Sequence, residues 1–225
     1  DTASRALVIN RGPEDMPLQV LPHLWSRNTW SWGRRSDGYW PRPEITRDAR
    51  GLMASHVSLG SYVLEAEPAP DGSIPSALFT ENETHFERLF GTASSSPYVK
   101  DAFHRYVVDG ERAAINPAEV GTKAALHYVL RVPAGGEQSI HLRLCDAAAT
   151  LRPALRESCA TILEQRRAEA DELYAARTPP TATPEEARVL RLGYAGLLWS
   201  EQFYHYVVEQ WLEGDPSQPP PPEQR

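Results

Sequence analysis

The sequence predicts a mainly β domain of antiparallel strands followed by helices, and three observations carry that prediction. Between Ala6 and Leu144, short apolar runs alternate with turn strings. After Leu144 the spacing of apolar residues lengthens from two to the helical period. A complete helix-start signal then stands at Thr183-Pro184-Glu185-Glu186. Short strands separated by turns favour an antiparallel sandwich. The predicted divisions are a β domain over 1–148, a helical linker over 149–182, and a further helix with a proline-rich segment over 183–225.

Taken in order, Ala6-Leu7-Val8-Ile9 is a strand stopped by Asn10-Arg11-Gly12-Pro13. Leu18 to Leu21 resumes the pattern toward Trp25. Further strands are expected at His56 to Ala66, Leu78-Phe79, Phe103 to Val108, Ala124 to Val132 and Ser139 to Leu144. In the last, Ile140, Leu142 and Leu144 point one way and His141 and Arg143 the other, the alternation of a strand with one wet face. Pro133-Ala134-Gly135-Gly136 predicts a hairpin between the last two strands.

Pro153 to Tyr174 reads as a helix with Leu155, Ile162, Leu163, Ala170 and Leu173 on one stripe. Thr178-Pro179-Pro180 breaks it. Thr183 then caps the next helix, Pro184 suits its first position and Glu186 closes a capping box. Up to Leu212 this helix is apolar on nearly every side, through Leu190, Tyr194, Leu197, Leu198, Trp199, Phe203, Tyr206, Val207 and Trp211. Such a helix expects neighbours around most of its circumference, and one other long helix does not supply them. The missing neighbours are expected beyond Arg225. Gly214 is the expected stop, with Pro219 to Pro222 an extended linker. A start at Asp1 without Met fits the same expectation, a piece of something longer.

Composition narrows the function. The 225 residues carry 23 Lys and Arg against 30 Asp and Glu, a net charge of −7, and are 41% hydrophobic. No long basic run exists to meet nucleic acid or anionic lipid. No stretch approaches the ~18 apolar residues of a membrane helix, and no signal-peptide pattern opens the chain. Cys145 and Cys159 match no metal spacing. They read as two buried thiols, with a disulfide as the alternative. This favours a cytoplasmic location. Asn82-Glu83-Thr84 is a glycosylation sequon, relevant only in a secretory chain.

Five strings carry a family resemblance: Asn28-Thr29-Trp30-Ser31-Trp32-Gly33, Phe79-Thr80-Glu81-Asn82-Glu83-Thr84, Tyr98-Val99-Lys100-Asp101-Ala102-Phe103-His104, Gly121-Thr122-Lys123-Ala124-Ala125 and Trp199-Ser200-Glu201-Gln202-Phe203-Tyr204. In that order, over nearly the whole chain, they resemble the amino-terminal part of bacterial proteins similar to glycoside hydrolase family 63, the mannosyl-oligosaccharide glucosidase group. The resemblance implies a β-supersandwich N-domain, a helical linker and the first helix of an (α/α)6 barrel that is truncated here. It also implies that the inverting acid and base lie in the barrel, so no catalytic residue is assigned to this chain. The implied role is a non-catalytic region that braces the barrel and lines the substrate entrance, with an oligosaccharide as substrate of the parent enzyme. A free-standing carbohydrate-binding or interaction module is the alternative.

The candidate substrate-binding residues are Trp30, Trp32, Glu81, Asn82 and Glu83. Indole faces suit the apolar face of a sugar ring, and Trp30 and Trp32 stand two apart beside Gly33. Trp25 is instead expected to end a strand in the core. Glu81 and Glu83 would lie on one face of an extended chain with Cα atoms ~6.6 Å apart. That overlaps the ~6.5–9.5 Å between carboxyl groups of inverting glycosidases, but any such pair in a strand achieves it. The preferred reading is a loop at the pocket rim. Lys100, Asp101 and His104 lack a nucleophile, and His104 reads as a hydrogen-bonded structural histidine before a strand. Lys123 lacks phosphate-loop spacing, and His56, His127 and His205 have no partner at metal-ligand spacing. No cofactor or metal is expected.

Overall fold

The computed structural model describes residues 2–35, 38–148, 155–201 and 206–224, with side chains from Cys159 onward in the helix that opens the third stretch. The start of that helix at Pro153, the stripe residue Leu155, and Phe203 and His205 therefore lie outside the described side chains. Two compact units are present, one of residues 1–159 with Pro216–Gln218, the other of 160–215 with 219–225.

Among the described residues the first unit holds ten strands: β1 Thr2–Ile9, β2 Met16–Val20, β3 His23–Trp25, β4 Glu44–Asp48, β5 Gly51–His56, β6 Gly60–Ala66, β7 Ser76–Thr80, β8 Val120–Gly121, β9 Lys123–Val132 and β10 Glu137–Asp146. All pairings are antiparallel. One sheet runs β1-β10-β6-β5-β4-β8; the other runs β2-β9-β3, with β7 also on β9. One apolar cluster draws on both sheets: Ile45, Leu52 and Ile140 from the first, Phe79, Leu126 and Leu130 from the second. The period of two decides this. In β9, Ala124, Leu126, Tyr128, Leu130 and Val132 all enter that core, while Ala125 faces the opposite side.

Several expectations are corrected. The Pro133–Gly136 turn does not close a hairpin. Its two strands lie in different sheets, β9 beside β2, β3 and β7, and β10 between β1 and β6. Gly136 N–H donates to Pro133 O at 2.9 Å, and the chain crosses from one sheet to the other so that Val132 and Ile140 meet in the same core. The residues 56–66 are not one strand but the end of a hairpin. His56 pairs with Gly60 across a three-residue turn, where His56 Nδ1 accepts from the N–H groups of Ser58 (3.2 Å) and Leu59 (3.3 Å). Strand β4 and most of β5 are short segments that the sequence reading passed over.

Phe103 to Val108 is helix α2 (Ala102–Val108), not a strand. Its adjacent β-branched valines suggest extended chain, but Phe103 and Tyr106, three apart, pack with Leu78 and Ala125 on the outer face of β7 and β9. Burial at helical spacing overrides local β preference. A short helix α1 spans Phe86–Phe90. The outer face of β10 is dry: His141 is 5% exposed and Arg143 3%. His141 Nδ1 lies 2.5 Å from Glu67 Oε1, and Arg143 pairs with Glu65 at 3.7 Å. These polar side chains can be buried because each faces an acidic partner. Cys145 and Cys159 are both free and buried, and Cys159 Sγ contacts Leu142 O at 3.7 Å. Trp25 ends β3 as expected but is 55% exposed rather than in the core.

The second unit holds most of α3 (Leu155–Ala175), then α4 (Pro184–Ser200) and α5 (Val208–Glu213). Asp171 of α3 pairs with Arg191 of α4 at 2.5 Å, and Tyr174 stacks on Tyr194 with centroids 6.5 Å apart. The capping box is present: Glu186 N–H donates to Thr183 Oγ1 (3.3 Å) and Thr183 N–H to Glu186 Oε2 (2.8 Å). Thr183→Ala is expected to destabilise α4 by about 1 kcal/mol, seen as lost helical ellipticity on mild heating. The single helix expected from Thr183 to Leu212 is not formed: α4 ends at Ser200, and Gly214 closes the separate helix α5. The proline run is not simply extended, because a Cβ at Gly214 would lie 2.8 Å from Pro221 Cδ; the chain folds back between them. No residue of α4 is buried. Leu192, Leu197, Leu198 and Trp199 are each more than half exposed, Trp199 by 83%.

Candidate functional site

The site begins where β7 runs out. Thr80 is held in the sheet by its hydroxyl donating to Val99 O at 2.8 Å, so the next three residues leave the strand from a fixed point. Glu81 is 5% exposed and turns inward. Its Oε2 accepts from Thr122 Oγ1 (2.8 Å) and Thr122 N–H (3.2 Å), and its Oε1 pairs with Arg42. Asn82 N–H donates to the same Thr122 hydroxyl (2.8 Å), and its side-chain amide to Ser26 O (3.0 Å). The sequon asparagine is thus engaged inside the fold. Glu83, 8% exposed, accepts from Trp30 Nε1 at 2.9 Å through Oε1 and from Ser95 Oγ through Oε2.

Two loops, 26–43 and 91–101, converge on this tripeptide. Asn28 Nδ2 donates to Asn82 O (2.9 Å), Lys100 N–H to Glu83 O (3.0 Å) and Glu81 N–H to Tyr98 O (3.2 Å). Trp30–Trp32 forms a single 3-10 turn that ends at Gly33 with φ 78°, a left-handed position suited to glycine. Trp32 is half-buried, with the Arg27 guanidinium 5.5 Å from its ring centroid and Tyr39 edge-on at 5.8 Å.

All five sequence-predicted residues fall in this region, and Trp30 touches Glu83 directly. Their polar atoms serve the fold: Trp30 has its N–H committed to Glu83, which leaves only the indole face, without a hydrogen-bonding group. Both carboxylates have both oxygens engaged. That arrangement fixes the tripeptide to Thr122, Arg42, Trp30 and Ser95.

A second polar cluster adjoins it. Asp101 does not partner His104, which is exposed on α2. Asp101 Oδ2 instead meets His85 Nδ1 (2.9 Å) and Arg88 (3.2 Å), and Oδ1 faces Arg105 at 3.8 Å. The sequence reading missed His85 because it lies sixteen residues away across a loop. Burial alone would raise the Asp101 carboxyl, but the His85 hydrogen bond and charge, with Arg88 and Arg105, hold it below the usual aspartate value. The stability it contributes is therefore fully present above the ordinary carboxylate pKa and lost as pH falls through the depressed folded value. Urea midpoints measured from pH 5 down to pH 2.5 are expected to fall less steeply in Asp101→Asn than in the parent chain.

Burial, then the nearby Lys123 charge, lowers the pKa of His23; burial, then Lys100, lowers that of Lys123. Among the described residues no group of three or more His, Cys, Asp or Glu is placed to hold a metal. A separate cavity of about 220 Å³ is lined by Arg47, Arg50, Pro68, Ile74 and Leu126 among others, and contains none of the predicted site residues. No described helix is long and apolar enough to cross a membrane.

Comparison with known proteins adds one relative. The chain is 30% identical over 252 aligned positions to the uncharacterized protein YMR196W of Saccharomyces cerevisiae, an alignment covering 98% of this chain. The chain spans only 23% of that protein's length. No family model matches the chain. No solved structure matches it.

Proposed function

We propose that this chain is the non-catalytic amino-terminal region of an inverting glycoside hydrolase resembling family 63, acting on α-glucosides or related oligosaccharides. Its antiparallel sheets correspond to a β-supersandwich that braces a catalytic barrel, and α4 corresponds to the first helix of that (α/α)6 barrel. Trp30, Trp32, Glu81, Asn82 and Glu83 line the substrate entrance, with the acidic pair fixing the loop rather than performing chemistry.

The exposed apolar surface of α4 is the observation that carries the bracing role. A helix displaying Leu192, Leu197, Leu198 and Trp199 to water is built for burial against further structure. Five family-like strings in the family's order supply the class of enzyme. The yeast relative extends well beyond the aligned region, as a multidomain parent would.

The test is expression of the longest polypeptide encoded around this chain, assayed on malto-oligosaccharides and an aryl α-glucoside with the product anomer followed by NMR. Hydrolysis with inversion is expected. A polypeptide without a carboxylate-bearing helical region after α5, or one that cleaves no glycoside, overturns the reading.

A further inference from the structure

The structure assigns the Trp30–Gly33 turn a second role, as the seat of a latch formed by Pro216–Gln218 of the same chain. These three residues belong to the first unit. Ser217 N–H donates to Trp32 O at 3.1 Å, and Gln218 Nε2 donates to Ser31 O at 2.9 Å. Gly33 makes room for the contact: a Cβ there would stand 2.2 Å from Ser217 Oγ and 3.1 Å from Ser217 N. Backbone carbonyls of a tight turn are strong acceptors that need partners, and here the partners come from a segment nearly two hundred residues away in sequence. Prolines flank the pair at 216 and 219, which narrows the backbone freedom of the segment before it docks.

The latch occupies the atoms a saccharide would use. With the Ser31 and Trp32 carbonyls filled by Gln218 and Ser217, and Trp30 Nε1 bonded to Glu83, the turn has few polar groups left for a sugar hydroxyl. A saccharide entering here displaces the latch first. Its apparent affinity is then reduced by the fraction of molecules with the latch open. This competition rests on the carbohydrate reading of the turn, whereas the latch itself does not.

The experiment uses the full chain in solution by NMR. In the parent chain the Ser217 amide is expected to exchange at least tenfold more slowly than in an unstructured peptide, and Gln218→Ala to speed it at least threefold. Ser217→Pro removes the amide donor. With maltotriose as the probe, followed at the Trp30 and Trp32 indole N–H signals, that variant is expected to bind at least threefold more tightly than the parent. A Ser217 amide exchanging at the unstructured rate, or unaffected by Gln218→Ala, overturns the latch. Equal maltotriose affinities in parent and Ser217→Pro overturn the competition. If the amide is protected and neither protein binds maltotriose, the carbohydrate reading of this turn falls and the latch stands.

Discussion

Glu81→Ala is expected to destabilise the β unit by about 3 kcal/mol, as charge-assisted hydrogen bonds to a buried carboxylate are worth about 1.5–3 kcal/mol each. The variant leaves the buried Thr122 hydroxyl without the acceptor it has at 2.8 Å, and removes one of the two acceptors of the Thr122 amide, which keeps Thr80 O at 3.1 Å. Arg42 offsets part of this loss because its side chain is 53% exposed and regains water. Glu81→Gln keeps an oxygen for Thr122 but loses the ion pair, so a loss of roughly half is expected. Urea unfolding followed by tryptophan fluorescence measures both. Losses below ~0.5 kcal/mol in Glu81→Ala would show that the loop is held by its backbone bonds instead.

Gly121→Ala should do at least as much damage by a different route. A Cβ at this position would stand 2.2 Å from Thr80 O and 2.9 Å from Thr80 C, both backbone atoms of β7 that cannot rotate away. Relief requires parting Gly121 from Thr80, and that also breaks the Thr122 N–H bond to Thr80 O at 3.1 Å and shifts the anchor of Glu81. Overpacking of this kind costs about 1–3 kcal/mol in a core, occasionally more. Here the top of that range is expected, with a displaced Trp30 indole N–H signal because Glu83 follows Glu81 in the same tripeptide. A variant with parent stability and an unmoved indole signal would contradict the close approach drawn here.

Local sequence signals were read correctly where one rule governed a segment. The strands at 124–132 and 139–144 and the capping box at Thr183 are of this kind, and each is visible in the structure. Errors arose where tertiary context chose between locally equal options. Pro133–Gly136 has the composition of a hairpin turn, and composition does not say whether the next strand pairs alongside or crosses to the facing sheet. His141 and Arg143 have the look of a wet face until Glu67 and Glu65 are seen opposite them. Helix α2 reads as a strand because its valines are adjacent, while its burial against Ala125 comes from distant β9. The candidate site was legible as a crowded loop. Its logic was not, since the partners of Glu81, Glu83 and Asp101 lie at Thr122, Trp30 and His85.

Everything functional in this account turns on whether the apolar face of α4 is made to be covered. The direct measurement is acrylamide quenching of a variant in which Trp199 is the sole tryptophan, made both as this chain and within the longest polypeptide its reading frame encodes. Strong quenching in the chain, as 83% exposure requires, and at least a fivefold weaker quenching constant in the longer polypeptide are predicted. Equal quenching in the two, or a reading frame that adds nothing to cover Trp199, would contradict it.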